Sequence, residues 1–274
     1  MAVKDRECWR FLQWALPRMG YDPDGFRRVR GQVCKRISRR LRHIGVAGLD
    51  RYRKHLAASP DEWAALDGLC RITVTRFLRE RPAFELLRCD VLPRLVRAAE
   101  RSGRTTLDAW SAGCSGGEEA YSLRILWDLD LAPRHPRTRL EIVATDSDAT
   151  MLRRACEAIY QRGTLREIPE SWIASAFEEN DGQFRLRPEF RHDIDFRHQD
   201  IRGEMPEGPF DLVLCRYLAF TYFDRRGREL ALRGIVDRLR PDGVLMIGAR
   251  ERPRADSAGI APMHPKLGLW RRVP

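Results

Sequence analysis

No stretch of this 274-residue sequence approaches the roughly 18 consecutive apolar residues that a membrane-spanning helix requires. With 43% hydrophobic residues spread along it, the chain has the composition of a soluble globular protein, long enough to bury a core without metal or disulfide staples. The opening MAVKDRECWRFLQW carries acids early and has no small-residue cleavage site, so no secretory signal is expected and the expected location is cytoplasmic. The seven cysteines are scattered, with no C-x-x-C pair, a pattern that fits a reducing compartment. The six histidines show neither H-E-x-x-H nor any other ligand spacing, and no metal is expected. Lysine is scarce, four of 50 basic residues, a bias that carries no mechanism.

Charge is distributed unevenly. The first 100 residues hold 22 Lys and Arg against 12 Asp and Glu, so they carry +10 of the net +11. From Phe26 to Ile44 the apolar residues Phe26, Val29, Val33, Ile37, Leu41 and Ile44 recur at steps of three and four, which predicts an amphipathic helix. Its other face is basic: Arg28, Lys35, Arg39 and Arg42 lie in one row, with Arg36, Arg40 and His43 beside them. Further helices are expected over Leu49–Ala58 and Asp61–Cys70, and over Pro82–Arg101, where Pro93 should kink or divide the helix.

After Gly103 short apolar runs (Thr106–Trp110, Leu140–Ala144, Phe210–Leu214 and Val244–Ile247) alternate with helical stretches, the signature of a doubly wound α/β sheet. One piece breaks that rhythm. Gln183–Phe196 alternates with period two after an Asn180-Asp181-Gly182 turn signal and is expected to form a small antiparallel insert. The tail from Arg252 is weakly patterned.

Two places carry chemistry. Leu107 to Glu119, LDAWSAGCSGGEE, reads as a strand, a glycine-rich turn and a helix start, the place where doubly wound sheets bind ligands; a plain tight connection has the same look. It has no phosphate-cradling lysine, and Glu118 would repel a pyrophosphate while suiting the amino group and sulfonium of S-adenosylmethionine. IVATDSD ends an apolar strand in Asp146, placed either to grip ribose hydroxyls or to cap a helix. Asp200, in HQDI, reads equally as a partner for an adenine amino group and as a turn residue.

In order, WSAGCSGGEEAYSL, ATDSDATMLRRACEAIY, GPFDLVLCRYLAFTYFD and LRPDGVLMIGARE closely resemble the CheR family of chemotaxis-receptor methyltransferases, and RITVTRFLRE resembles that family's T-x-x-T-x-F-F-R-E segment. The resemblance spans about residues 25–251. It implies an all-α N-terminal domain (1–83), a linker helix (84–104) and a Rossmann-like methyltransferase domain (105–274, insert about 180–197). It also implies methyl transfer from S-adenosylmethionine to receptor glutamates, with S-adenosylhomocysteine as product. By motif match, Thr75 and Arg79 would border the cofactor, Gly113 and Glu118 would hold its methionine end, Asp146 the ribose and Asp200 the adenine. Arg216 would follow the fourth strand, and Tyr222 would stand near the transferred methyl. Arg79 or Tyr222 would position the acceptor oxygen. The implied partner is an acidic protein helix, which the basic helix face would dock; that face also reads as merely solvated, and no nucleic-acid motif accompanies it.

The sequence departs from the family near the acceptor. Where the family's usual segment is C-R-N-V-L-I-Y-F-D, this chain has CRYLAFTYFD, with Tyr217 for the asparagine and one residue more, so Tyr217 is a third candidate at the reaction centre. Ala249 and Arg250 stand in the family's G-H-S-E segment, of which Glu251 remains. Two other readings therefore stay open: a divergent methyltransferase for a small molecule, such as a thiol or amine, or for another protein; and a noncatalytic regulator that binds the cofactor or its product.

Overall fold

A computed structural model describes residues 5–253 and 259–273, so the first four residues of the opening segment and residues 254–258 and 274 of the tail lie outside it. The chain divides into two compact units: one runs up to Ile72 and includes Thr221–Arg228, the other comprises Thr73–Phe220 and the remainder from Glu229.

The first unit is built from helices Asp5–Ala15, Arg30–His43, Leu49–Ala58 and Pro60–Cys70. Arg30–His43 buries Val33, Cys34, Ile37 and Leu41, four residues of one apolar stripe, but it is shorter than the periodicity predicts. Phe26 belongs to a separate turn, Pro23–Phe26, which Asp22 caps and Pro23 starts. Ser59 caps the last helix by accepting from the Glu62 amide at 3.3 Å, with Pro60 in its first turn. Glu62, 4% exposed, accepts from Tyr52 Oη at 2.7 Å and from Arg40 at 2.7 and 3.1 Å, so one carboxylate ties three helices together. Segment Thr221–Arg228 joins this unit through an antiparallel bridge between Tyr21 and Phe223. Gly25 is needed there, because a Cβ would lie 2.1 Å from the Thr221 carbonyl oxygen. Cys8 and Cys34, on different helices, form a disulfide that the scattered spacing did not predict; packing brings their Cα atoms to 5.9 Å.

The second unit holds a seven-stranded sheet: β1 (Thr106–Ala112), β2 (Arg139–Asp146), β6 (Ile194–His198), β7 (Phe210–Leu214), β8 (Leu239–Met246), β9 (Ile260–His264) and β10 (Leu269–Arg272), in the order β6-β2-β1-β7-β8-β10-β9. β6, β2, β1, β7 and β8 are parallel, β10 is antiparallel to β8 and β9, and the doubly wound α/β reading stands. A second, antiparallel sheet has the order β3 (Ile159–Gln161), β5 (Gln183–Leu186), β4 (Phe177–Asn180). The insert expected over Gln183–Phe196 is therefore divided: β5 belongs to it, while Ile194–His198 pairs with β2 in the large sheet. The three-residue turn at Pro188–Phe190 ends β5 and lets the chain change sheets. The weakly patterned tail forms β9 and β10, which pair with each other as a local hairpin, while β10 also pairs antiparallel with β8, more than 20 residues earlier. As Pro93 requires, the helix around it is interrupted, by a wide π-type turn at Leu87–Val91 just before Leu92–Arg101 resumes.

Candidate active site

Strand order reverses between β1 and β7, since the chain builds outward from β1 to β2 and β6 and then crosses to β7 and β8. At such a switch point the carboxyl ends of the strands leave a crevice for a ligand. The glycine-rich turn follows β1 there. Gly113 (φ +74°), Ser115 (φ +51°) and Gly117 (φ +86°) are left-handed, and the Gly113 and Cys114 amides both donate to the Thr145 carbonyl at 2.8 and 2.9 Å. The Ser115 amide donates to Asp146 Oδ2 and the Asp148 amide to Oδ1, each at 2.8 Å. Asp146 is thus held at the end of β2 by backbone N–H groups. The helix-cap alternative falls to Asp148, which accepts from Thr150 and Met151 at the start of the next helix.

The two acids of the GGEE turn face different ways. Glu118 is fully buried and accepts from Arg154 at 2.8 Å, while its Oε2 has no hydrogen-bond partner among the described residues. Burial raises its pKa, against the pull of Arg154. Glu119 accepts from Ser111 Oγ at 2.9 Å and from Arg216 at 3.2 Å.

Arg216, two residues beyond β7, is buried and also donates to Glu80 Oε2 at 2.8 Å and to the Arg79 carbonyl. Its Nε is buried without a partner among the described residues. Tyr217 is left-handed (φ +54°), its amide donates to Glu251 Oε2 at 2.8 Å and its hydroxyl donates to Glu80 Oε1. Leu78 (φ +46°) and Glu80 (φ +63°), on either side of Arg79, are left-handed too. Such backbone is costly for residues with side chains, and it concentrates where a site must be held rigidly. Arg79 lies with its guanidinium carbon 4.0 Å from the Tyr217 ring centre and donates to the Val74 carbonyl at 3.1 Å, and it forms no ion pair among the described residues.

Of the residues read from sequence, Arg79, Gly113, Asp146, Arg216 and Tyr217 therefore lie on the strand-end loops around the switch point or in the network joined to them, and Glu118 opens the helix beside it. Thr75 lies in the irregular segment leading to Arg79. Asp200 sits in the turn after β6, accepting from the Arg202 amide at 2.9 Å and from its guanidinium at 2.6 Å, which is the turn geometry. Tyr222 belongs to the first unit, where its ring lies 4.9 Å from that of Phe26. Glu80 and Glu119 are the residues that sequence reasoning missed; both stood beside assigned positions, in TRFLRE and GGEE.

These residues fit S-adenosylmethionine: a buried carboxylate oxygen without a partner among the described residues suits a cationic group, and Gly113 takes the left-handed backbone (φ +74°) that glycine adopts freely. The comparisons agree. The model of the CheR methyltransferase SAM-binding domain matches residues 73–261. The chemotaxis protein methyltransferase of Listeria innocua is 37% identical over 183 residues, 67% of this chain and 66% of that protein, so the chain spans just under two thirds of its length. The protein of that name from Listeria monocytogenes is 35% identical over 72% of each chain. That of Salmonella typhimurium is 32% identical over 92% of this chain and 85% of its own. The chain belongs to the CheR family of S-adenosylmethionine-dependent methyltransferases.

Proposed function

We propose that this protein methylates glutamate side chains on an acidic helical segment of a chemotaxis receptor, giving a methyl ester. The observation that carries the reading is Arg79, a half-buried guanidinium presented without an ion-pair partner among the described residues, its central carbon 4.0 Å from the centre of the Tyr217 ring, ready for an incoming carboxylate. When bound, S-adenosylmethionine supplies an electrophilic methyl group on a sulfonium. A glutamate carboxylate, with a pKa of about 4.3, is already ionised at neutral pH, so its oxygen takes the methyl carbon as the carbon–sulfur bond breaks, and no proton has to move. The chain's task is alignment and exclusion of water. Arg79 would orient the acceptor oxygens, Gly113 and Glu118 would hold the methionine end and Asp146 the ribose, while Glu119, which accepts from Ser111 and Arg216, ties Arg216 to the glycine turn. Thr75, Asp200 and Tyr222 enter through the motif match.

The exposed row Arg28, Lys35, Arg39 and Arg42 on the Arg30–His43 helix and the turn before it supports an acidic partner. Arg36 and Arg40, by contrast, are spent internally on the Leu69 carbonyl and Glu62. In this reading the helical domain over 1–83 recognises the acceptor, 84–104 links, and 105–274 binds the cofactor. Placement in the cytoplasm belongs to the same proposal; among the described residues no helix is long and apolar enough to cross a membrane.

The test is incubation with methyl-labelled S-adenosylmethionine and a receptor methylation fragment, beside small thiols and amines. Base-labile label on the fragment, lost with Arg79→Ala, is the expected result. Label only on a thiol or amine would establish the small-molecule reading instead, and cofactor binding without any turnover the regulatory one.

A further inference from the structure

Arg79 and Glu80 are neighbours in sequence and opposite in charge, yet they form no ion pair. Each oxygen of Glu80 is taken by other groups: Oε1 accepts from Tyr217 Oη, while Oε2 accepts from Arg216 at 2.8 Å and from the Ala249 amide at 3.2 Å. Tyr217 reaches Glu80 because its backbone is left-handed, its amide is tied to Glu251 and its ring lies against Gly248, where a Cβ would sit 2.6 Å from Tyr217 Cζ. The same ring is the surface on which the Arg79 guanidinium rests.

We propose that Tyr217 is a positioning residue: by occupying Glu80 and supporting Arg79 on its ring, it keeps Arg79 from being neutralised by its neighbour and leaves it for the acceptor carboxylate. A short amide at this position would provide neither the aromatic surface nor the reach. The protonation states agree with this role. Burial first, and then the Glu80 contact, push the Tyr217 hydroxyl up to about 12, so it remains a donor at neutral pH. Burial pushes Glu80 upward, but the hydrogen bonds from Tyr217 and Arg216 outweigh it and hold the carboxyl below its ordinary range, so it remains an acceptor.

The inference rests on the acceptor being a carboxylate, and its test separates the two questions. Glutarate serves as the probe, and the guanidinium N–H signal of Arg79, assigned by its loss in Arg79→Lys, reports binding by nitrogen-15 NMR. In the wild type this signal carries the ring-current shift of a stacked guanidinium and moves as glutarate is added. Tyr217→Phe keeps the ring but releases Glu80 Oε1; it should retain the ring-current shift and weaken glutarate binding about tenfold, since an adjacent carboxylate now competes. Adding Glu80→Gln to that variant should restore glutarate binding to within about threefold, a rescue that a merely structural role would not give. Tyr217→Asn should lose the ring-current shift as well. Cofactor affinity measured calorimetrically should stay within about threefold in Tyr217→Phe, and KM for a methylated receptor fragment should rise while kcat is largely kept. Wild-type glutarate binding in Tyr217→Phe, or no rescue by Glu80→Gln, overturns the inference. Failure of the receptor fragment to be methylated, with glutarate behaving as described, overturns only the choice of acceptor.

Discussion

Arg154 donates to Glu118 across 2.8 Å although the two residues belong to different strand–helix units, Glu118 opening the helix after β1 and Arg154 lying on the helix after β2. The pair couples the glycine-rich turn to the neighbouring unit, and the burial is one-sided, because Glu118 is fully enclosed while the Arg154 side chain is 35% exposed. Arg154→Met should cost about 3–5 kcal/mol in urea unfolding, because it strands a buried carboxylate. Glu118→Gln should cost less, since the arginine left behind can turn to water. The Glu118 pKa is raised, so its contribution is fullest at acid pH and is lost as pH rises through the raised value. Arg154→Met should steepen that loss; a variant with wild-type pH dependence would contradict the pairing.

Glu62 predicts the opposite slope. The hydrogen bond from Arg40 lowers its pKa, against the effect of burial and with help from Tyr52. The stability it supplies is present above the ordinary carboxylate range, about 4.3 unfolded, and is lost as pH falls through the lower folded value. Glu62→Gln should flatten the fall in urea midpoint on acidification. Tyr52→Phe, which removes the buried hydroxyl donor to Glu62, should cost about 1–2 kcal/mol at pH 7.

The Cys8–Cys34 disulfide closes a loop with a sequence separation of 26 residues. On the chain-entropy account such a link is worth about 3.5 kcal/mol. Thiol labelling of the denatured chain should show two more reactive cysteines with reductant than without, and reduction should lower the urea midpoint of the helical unit by a corresponding amount. Equal stability in both states would show that helix packing alone holds the two sulfur-bearing helices in place.

Asp146 joins the glycine turn to β2 through the Ser115 and Asp148 amides. Asp146→Ala should weaken S-adenosylmethionine binding about 10- to 100-fold by calorimetry, the scale of a lost charge-assisted hydrogen bond. Retained affinity would remove Asp146 from the cofactor site.

Much of the fold was legible because the central strands are short apolar runs bounded by polar turns: Phe210–Leu214 is buried at every position and lies where its hydrophobicity predicts. Ile194–His198 was misassigned for the complementary reason. It is an edge strand with exposed Asp195, Arg197 and His198, so its alternation looks the same in either sheet, and only its pairing with β2 decides between them. The Cys8–Cys34 link was likewise illegible, because nothing local to either helix records which face of the other it meets. Within the site, the glycine turn and Asp146 were readable from a strand-turn-helix pattern, whereas Glu80 had no pattern of its own; its importance comes from the left-handed backbone and from partners more than 130 residues away.

By itself the sequence determined the family and the cofactor, because the motifs that carry the resemblance are short local runs, among them the glycine turn after an apolar strand and the acid at the end of the next. The tertiary structure decided which side chains face one another. Glu118 and Glu119 are adjacent and chemically alike, yet successive helical residues point about 100° apart, so one is enclosed beside Arg154 and the other meets Arg216. Arg79 and Glu80, equally adjacent, are kept apart by a tyrosine that arrives from the far end of another strand, a relationship that depends on strand order and on no local sequence signal.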